Sequence, residues 1–375
     1  MTTVFVVNSG SSSIKYRIIE TVTGETMLSG IVDRIGQTDG DAKDHQSGIE
    51  KILDGLPPEI RIELVGHRVV HGGDKFSSAV VLNDVVIKQI EELSPLAPLH
   101  NPANLIGIRA TMAALSSIKQ VAVFDTAFHQ TIPPEAYLYA IDTEIADSYG
   151  IRKYGFHGTS VKYVSRVAVE LLGFAAEQTN LIVLHLGNGA SATAVQGGRS
   201  VDTSMGLTPL QGLVMGTRSG DIDAAVVAHL NRVAGMSVEE IDSLLNNRGG
   251  MLGLTGFGDM RDVEAAVANG DRSAATALAV WRHRLRGYLG AYTAGLGRVD
   301  AIVFTAGIGE NSPQLRELAC QGLEHLGVEV DSTKNYAASH GPREISKDSS
   351  SVRVFVIPTN EELEIARQAE EITRS

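Results

Sequence analysis

One local pattern occurs twice in this sequence: a short apolar strand, a turn of small polar residues and glycine, a second strand and a further turn. The first copy begins at Val4 and reaches Tyr16, and the second begins at Leu181 and reaches Arg199. β-Branched residues favour strands, and apolar runs this short are not typical of helices. The repeat therefore predicts two related domains, each containing a sheet that begins with an antiparallel hairpin.

The turn of the first copy can bind phosphate. Gly10 lets the main chain approach a ligand, and Ser11, Ser13 and Lys15 can donate hydrogen bonds to phosphate oxygens. A plain serine- and glycine-rich β-hairpin has the same composition, so this stretch alone leaves both interpretations open. Two such turns facing each other across a cleft can grip a polyphosphate, unless the two hairpins are unrelated. The sequence contains no Gly-x-x-x-x-Gly-Lys-Ser/Thr motif, which excludes a P-loop.

Composition limits the class of protein. At 375 residues the chain exceeds the usual size of one core, so two domains are expected. The formal net charge of −12 argues against a large surface for nucleic acid or anionic membranes, so any anionic ligand must be met locally. Cys320 is the single cysteine, which excludes an intrachain disulfide and favours a reducing compartment, the cytoplasm by default. No apolar run is long enough to predict a membrane span.

Two charged residues are predicted at the carboxyl ends of buried strands, where α/β sheets keep their ligands. Arg68 lies near the end of an apolar run that breaks at Gly72, and it needs an anionic partner, either a ligand or a structural salt bridge. Asp125 ends the strand predicted at 120–124, as a catalytic carboxylate or as the cap of the next element. His67 and His71 are too far apart on a strand to share a zinc ion.

Two further candidates lie in glycine-bounded loops. His157 is flanked by glycines before a helix predicted at 161–172, where a solvated histidine is the simpler interpretation. Arg218 precedes another helix, in an arrangement that suits a phosphoryl group, although it can equally pair with Asp221 or Asp223. Residues 249–262 are predicted as a glycine-rich loop, with Asp262 able to cap the helix that follows. Residues 305–312 are predicted as a turn between a strand and a helix at 313–326.

Taken together, these motifs resemble the signature set of the acetate kinase family, and the resemblance covers the whole chain in order. The motifs are NSGSSSIK at 8–15, HRVVHGG at 67–73, FDTAFH at 124–129, KYGFHGTS at 153–160, HLGNG at 185–189, MGTR at 215–218, GIGEN at 307–311 and PTNEE at 358–362. The resemblance implies an α/β fold of the sugar kinase, Hsc70 and actin superfamily. Two duplicated RNase H-like domains, each a mixed five-stranded sheet flanked by helices, are expected around an interdomain cleft, with boundaries at 1–129 plus 363–375 and 130–362.

The resemblance also implies roles for particular residues. Asp125 is the proposed catalytic carboxylate, while His157 and Arg218 would stabilise the transition state. Arg68 would bind acetate or acetyl phosphate. The remaining implied site residues are the Mg²⁺ ligands Asn8 and Glu361, the acetate methyl pocket of Val70, Leu99, Phe156 and Pro209, and the ATP contacts Ser11, Ser13, Lys15, His185, Leu186, Gly187, Asn188, Gly189, Asp259, Met260, Arg261, Gly307, Ile308, Gly309, Glu310 and Asn311.

The implied activity is the reversible, Mg²⁺-dependent transfer of the ATP γ-phosphoryl group to acetate, giving acetyl phosphate and ADP; Mn²⁺ is a plausible substitute for Mg²⁺. A cytoplasmic homodimer that binds neither nucleic acid nor membrane is expected. A propionate or butyrate kinase of the same family is the nearest alternative, because one methylene changes discrimination only about 10-fold to 200-fold. An ATP-switched module without enzymatic activity is a further alternative, although it does not need the cluster of Arg68, His157 and Arg218.

Overall fold

A computed structural model describes residues 2–374 of the chain, which form two compact units. The first unit contains residues 2–130, 156–163 and 360–374, and the second contains residues 131–155 and 164–359. Residues 156–163, which follow the first boundary suggested by the resemblance, thus belong to the first unit. Each unit contains one mixed sheet, as the repeated hairpin predicted.

The sheet of the first unit has the strand order β3-β2-β1-β4-β6-β5. Its strands are β1 (Thr3–Ser9), β2 (Ile14–Glu20), β3 (Thr26–Val32), β4 (Leu64–Val69), β5 (Val80–Val81) and β6 (Gln120–Phe124). The first three form an antiparallel meander, whereas β1, β4 and β6 are parallel neighbours. Three strands of this sheet therefore end at the same edge.

The sheet of the second unit has the order β11-β12-β10-β7-β8-β9 and repeats this arrangement. Its strands are β7 (Asn180–Leu186), β8 (Ala190–Gln196), β9 (Arg199–Thr203), β10 (Ala301–Thr305), β11 (Arg343–Glu344) and β12 (Arg353–Val356). Strands β7 to β9 form the antiparallel meander, and β7, β10 and β12 are parallel neighbours. The two units are thus built on the same plan.

Helices connect and cover the strands. They are α1 (His45–Asp54), α2 (Asp84–Glu92), α3 (Asn101–Ala114), α4 (Pro134–Tyr137), α5 (Thr143–Tyr149), α6 (Gly158–Leu172), α7 (Ala225–Ala234), α8 (Val238–Asn247), α9 (Gly250–Thr255), α10 (Met260–Ala268), α11 (Arg272–Leu296), α12 (Ala306–Asn311), α13 (Pro313–Cys320), α14 (Ser332–Tyr336) and α15 (Glu361–Arg374). None of the helices within residues 2–374 is both long enough and apolar enough to cross a membrane.

The alternation of side chains in β1 explains how its sheet is covered on both faces. Val4 and Val6 point to one face and pack in a cluster with Leu363 and Ile365 of α15. The intervening residues of β1 point to the other face and pack with side chains of α1 and α3. Successive residues of a strand face opposite sides of the sheet, so a continuous apolar run predicts burial on both faces.

Several local predictions were wrong. Each sheet has six strands rather than five, because a two-residue edge strand is added to each. The predicted loop at 249–262 contains α9 and the start of α10, and Asp259 rather than Asp262 caps α10. The predicted turn at 305–312 contains α12, and the following helix ends at Cys320, before the predicted 326.

Candidate active site

The carboxyl ends of β1, β4 and β6 bring polar residues to one edge of the first unit's sheet. In the parallel pairs, Val7 of β1 lies opposite His67 of β4, and Arg68 lies opposite Val123 of β6. Asn8 and Asp125 follow directly along their strands, so both are expected at the level of Arg68. The sequence placed these residues at strand ends, and the sheet register assembles them.

Arg68 and Asp125 form a bidentate ion pair. The Nε atom of Arg68 donates to both carboxylate oxygens, at 3.2 and 3.0 Å, and its Nη2 atom donates to Oδ2 at 2.6 Å. The Asp125 side chain is only 2% exposed, whereas that of Arg68 is 24% exposed. Burial alone would lower the pKa of Arg68, but the charges of Asp125 and Glu361 raise it above its usual value. The guanidinium is therefore a permanent cation with one face toward solvent.

Asp125 is held in turn by the start of α6. The Thr159 hydroxyl donates to its Oδ1 atom at 3.2 Å, and the Gly158 amide donates to its carbonyl oxygen at 2.8 Å. A Cβ at Gly158 would lie 2.3 Å from that carbonyl, so glycine is required for this approach. Thr159 was missed in the sequence, where it was only part of a motif; a hydroxyl at the first turn of a helix is common.

Glu361 brings a second carboxylate to Arg68. It is the first residue of α15, and its Oε2 atom lies 3.9 Å from the Nε atom of Arg68. Helix α15 can lie this close because β4 has Gly66 beneath it, where a Cβ would lie 2.7 Å from Ile365 Cγ2. Burial raises the pKa of Glu361 to about 7, against the attraction of Arg68 and with the repulsion of Asp125. Two carboxylates thus share one guanidinium.

This excess of negative charge is the feature that fits a cation. Within residues 2–374, no group of three or more histidine, cysteine, aspartate or glutamate side chains is arranged to hold a metal ion. Mg²⁺, however, keeps several waters and phosphate oxygens, and it takes only one or two carboxylates from a protein. The oxygen donors predicted for it, the amide of Asn8 and the carboxylate of Glu361, are of the type that it prefers.

Two asparagines of α3 fix the segment after Arg68. Asn104 accepts from the Val70 amide at 3.1 Å and donates to the Ser9 carbonyl at 2.7 Å. Asn101 accepts from the His71 amide and donates to the His71 carbonyl. Both asparagines are buried, and sequence reasoning missed them. Asn104 therefore joins the end of β1 to the residue that follows β4.

The residues predicted to bind the acetate methyl differ in exposure. Val70 is half-buried, and Phe156 is buried with its ring edge-to-face against His71, at a centroid distance of 5.5 Å. Leu99 is 77% exposed, so the structure does not bury it in an apolar pocket of the first unit. Pro209 belongs to the second unit, where its carbonyl accepts from the Nη1 atom of Arg218 at 3.4 Å.

His157 has a strained backbone. Its φ angle is 60°, in the left-handed region that residues other than glycine seldom adopt. It directly precedes α6, and its ring is half-buried. Strain of this kind costs about 1–3 kcal/mol and is found most often at functional sites. The location therefore supports a functional role more than that of a merely solvated histidine.

The first hairpin turn is well ordered by its own backbone. The Gly10 amide donates to the Ser13 carbonyl at 2.8 Å, and the carbonyl of Gly10 lies 2.8 Å from the His45 Nε2 atom. Asn8 lies opposite Lys15 in the β1–β2 pair. Ser11 and Lys15 are exposed and Ser13 is half-buried, so the turn presents their polar groups to solvent.

The second unit contains a cavity of about 580 Å³. The predicted ATP contacts that line it are Leu186, Gly187, Asn188, Asp259, Met260, Arg261, Gly307, Ile308 and Asn311. Its apolar wall includes Met251 and Trp281, which sequence reasoning missed, as it missed the polar pair Glu264 and Ser312. The Ser312 hydroxyl donates to Glu264 at 2.8 Å, and burial raises the pKa of Glu264. The combination of the β7–β8 turn, an apolar wall and polar residues at the rim suits a nucleoside phosphate.

The remaining predicted ATP contacts do not line this cavity. His185 and Gly189 flank the β7–β8 turn, with His185 in the last part of β7. The Glu310 carboxylate accepts from the amides of Ala306 and Thr359, at 2.8 and 3.0 Å, and so holds the backbone around Gly309. Ala306 itself has a left-handed φ of 65°. Glu310 therefore stabilises the backbone of α12 and does not line the cavity itself.

Asp259 and Arg261 form an ion pair at the rim of the cavity. The Nη2 atom of Arg261 donates to Asp259 at 2.5 Å, and Asp259 also caps α10 by accepting from the Arg261 amide. The side-chain hydrogen bond from Arg261 lowers the pKa of Asp259 to about 2. Because Arg261 is 88% exposed, this pair contributes little to stability, and its guanidinium can reorient toward an anion.

Arg218 does not pair with either of the aspartates that the sequence offered. No carboxylate of the described chain lies within 4 Å of its guanidinium, which contacts the Pro209 carbonyl and the Met215 Sδ atom at 3.9 Å. Burial lowers the pKa of Arg218 below its usual value. Asp221 instead pairs with Arg284, and Asp223 accepts from the Ala225 amide. A half-buried guanidinium without an anionic partner is suited to receive one from a ligand.

Comparison with known proteins gives one consistent result. Residues 3–367 match the model of the acetokinase family. The acetate kinases of Clavibacter michiganensis subsp. michiganensis and Streptomyces griseus subsp. griseus are 55% and 54% identical, covering 98% and 97% of this chain and 98% and 95% of theirs.

The solved structures that are similar over the whole chain include an acetate kinase and a propionate kinase. The acetate kinase of Porphyromonas gingivalis is 41% identical with a TM-score of 0.94, and each chain is covered completely. A propionate kinase from Francisella tularensis subsp. tularensis is also 41% identical, with a TM-score of 0.93 and coverage of 99% and 100%. The fold therefore does not separate these two substrate preferences.

Proposed function

The chain belongs to the acetokinase family, and from this membership we infer that it catalyses the acetate kinase reaction. The γ-phosphoryl group of ATP is transferred to acetate, giving acetyl phosphate and ADP, and the reaction runs in both directions. The observation that carries the proposal beyond family membership is the state of Arg68. Its hydrogen bonds to Asp125 use Nε and Nη2, so Nη1 is the guanidinium nitrogen that remains for a small anion.

The charge of the acceptor determines what the protein must supply. A carboxylate is already ionised at neutral pH, so the nucleophile needs no general base. Asp125 therefore serves to orient Arg68, and Thr159 fixes Asp125. Arg68 binds the acetate carboxylate or the acetyl phosphate.

The transition state of phosphoryl transfer carries its charge on the equatorial oxygens. We propose that Arg218 and His157 stabilise this charge, each by a few kcal/mol. The half-buried guanidinium of Arg218, which has no carboxylate partner in the described chain, is ready for this role without first breaking an ion pair.

We propose the second-unit cavity as the nucleotide site. The backbone of the β7–β8 turn and the start of α12 would contact the phosphates and the adenosine, respectively. Asn8 and Glu361 would hold Mg²⁺, which neutralises phosphate charge when it is bound. An Asn8→Ala variant should require more Mg²⁺ for half-maximal activity; an unchanged Mg²⁺ requirement would assign Asn8 a purely structural role in the hairpin.

Acyl-chain preference, assembly and location are further proposals. Val70, Leu99, Phe156 and Pro209 remain the proposed determinants of chain length, with Leu99 the least supported because of its exposure. A homodimer is proposed from the family resemblance, and a cytoplasmic location from the single cysteine. Steady-state kinetics with acetate, propionate and butyrate test the first of these, and sedimentation tests the second.

The decisive experiment measures acyl phosphate formation from ATP with each acid. We expect the highest kcat/KM with acetate, and Arg68→Ala and Arg218→Ala should each lower turnover by orders of magnitude with the fold intact. A preference for propionate would reassign the substrate within the family. Nucleotide binding without transfer to any of these acids would favour an ATP-switched module, and near-normal turnover in either variant would remove that arginine from the mechanism.

A further inference from the structure

The segment that carries Arg218 is closed at its base by one aspartate. We call residues 212–221 the arginine loop. The Asp221 amide donates to the Gly212 carbonyl at 2.9 Å, and the Gly212 amide donates to the Asp221 Oδ1 atom at 3.0 Å. Gly212 and Gly220 have φ angles of 112° and 69°, so the chain reverses tightly at both ends. Asp221 thus joins the two ends of the loop with both its backbone and its side chain.

The other oxygen of Asp221 anchors the loop to α11. The Tyr288 hydroxyl donates to Oδ2 at 2.7 Å, and the Nη1 atom of Arg284 lies 3.6 Å from the same oxygen. Arg284 also donates to the Asp221 carbonyl at 3.3 Å. Because α11 is a 25-residue helix packed on β7 and β8, it is a rigid support. Asp221 therefore fixes the base of the arginine loop relative to α11 and the sheet on which α11 packs.

The guanidinium of Arg218 depends on this loop for its own position. Of its hydrogen-bonding contacts, Met215 lies in the loop and Pro209 lies three residues before it. The tip of the loop is joined to the lining of the proposed nucleotide cavity, because the Gly216 amide donates to the Asn188 carbonyl. Within the loop, the Met215 amide donates to the Arg218 carbonyl. A shift at the base would consequently move Arg218 relative to the β7–β8 turn.

We propose that Asp221, held by Tyr288 and Arg284, is a positioning residue that sets the location of Arg218 for phosphoryl transfer. The inference rests on the proposed function of Arg218. Burial raises the pKa of Tyr288, and its hydrogen bond to Asp221 raises it further, so the phenol stays protonated and continues to donate. Neither Tyr288 nor Asp221 lines the second-unit cavity, so both are proposed to act through Arg218.

The test compares Asp221→Asn and Tyr288→Phe with Arg218→Ala and with the double variant Asp221→Asn/Arg218→Ala. A misplacement of about 1 Å can cost about 100-fold in rate, so we expect kcat to fall about 10-fold to 100-fold in the two single positioning variants. The KM for ATP should change less than twofold, since the cavity lining is intact. In the double variant, kcat should equal that of Arg218→Ala alone, because there is no guanidinium left to position.

Tyr336→Phe is the matched control. It removes a tyrosine hydroxyl that donates to a carboxylate, Glu317, at 3.1 Å elsewhere in the same unit, and its kcat should match the parent chain. If Asp221→Asn unfolds, Tyr288→Phe alone tests the inference, because it deletes a single oxygen. Normal kcat in the positioning variants, or losses that multiply fully in the double variant, would overturn the inference and leave the role of Arg218 intact. Normal kcat in Arg218→Ala would overturn both.

Discussion

In the first unit, buried charges are grouped around a single arginine side chain. Arg68 lies between Asp125 and Glu361, so one guanidinium faces two carboxylates; burial raises the pKa of Glu361, and the charge of Arg68 opposes this shift. Breaking such a pair by removing one partner costs several kcal/mol, because the other charge is left buried without a partner. Arg68→Ala is therefore expected to lower the free energy of unfolding more than Arg68→Lys, which keeps the charge but loses the bidentate geometry, and urea unfolding of the two variants checks this.

His67, the neighbour of Arg68 in β4, makes the stability of the protein depend on pH. Burial lowers its pKa to about 4, although its hydrogen bond to the Gln120 side chain at 2.7 Å opposes this shift. The unfolded chain, with a histidine pKa near 6.5, then binds more protons than the folded chain between about pH 6.5 and 4. Taken by itself, His67 should lower the free energy of unfolding by about 2 kcal/mol from pH 7.5 to 5, whereas the raised pKa of Glu361 acts in the opposite direction over this range.

Urea unfolding at these two pH values checks the prediction. The change in the free energy of unfolding from pH 7.5 to 5 should be more favourable to the folded state in His67→Gln than in the parent chain, by about 2 kcal/mol, because the contribution of Glu361 is common to both. His340→Gln, at an exposed position, should keep the parent pH dependence. Equal acid sensitivity in His67→Gln and the parent would show that His67 does not carry this effect.

At the level of secondary-structure elements, the sequence correctly predicted the strands that have a clear local pattern of apolar residues. The apolar strands at 120–124 and from Leu181 were confirmed, as was the hairpin predicted from Val4 to Tyr16, because burial on both faces leaves a clear apolar run. Helix α9 was missed in a glycine-rich stretch. It is stabilised from outside, since the amides of Met251 and Leu252 donate to the carbonyls of Met215 and Gly216. No local signal indicates such distant acceptors.

Gly250, at the start of α9, tests how closely that helix supports the arginine loop. Its φ is +59°, and a Cβ there would lie 2.2 Å from the Met215 carbonyl oxygen and 2.6 Å from the Arg218 carbonyl oxygen. Both atoms are backbone, so Gly250→Ala must displace the loop. We expect kcat to fall about 10-fold or more. Gly235→Ala is the control, with φ +66° and no atom within 4 Å of the added Cβ.

Both variants carry a side chain at positive φ, which costs about 1–2 kcal/mol. A similar decrease in thermal midpoint is therefore expected from that term, with a further decrease in Gly250→Ala from the clash. If kcat in Gly250→Ala were as high as in Gly235→Ala, the contact between α9 and the arginine loop would have no bearing on catalysis.

For the whole molecule, the same plan serves two different tasks. Each unit has a three-stranded meander followed by parallel strands, yet the first gathers Arg68 and Asp125 at its strand ends while the second encloses a cavity. With a net charge of −12, neither unit relies on a basic surface to attract anions. Anions are bound instead by individual guanidinium groups and backbone amides. The duplicated hairpin therefore predicted the architecture, but it could not predict this division of roles.

Hydrogen exchange measured by mass spectrometry tests the division directly. MgADP should protect the amides of residues 187–189, 215–217 and 307–311, which line or flank the cavity. Adenosine alone should protect 307–311 but not 187–189, because the turn is proposed to contact phosphate. The β5 segment at 80–81 serves as the internal control and should not change.

Gly216→Ala, whose Cβ would lie 2.2 Å from the Asn188 Oδ1 atom, should lose protection at the β7–β8 turn. Protection by MgADP confined to residues 9–15 of the first hairpin would move the nucleotide site out of this cavity.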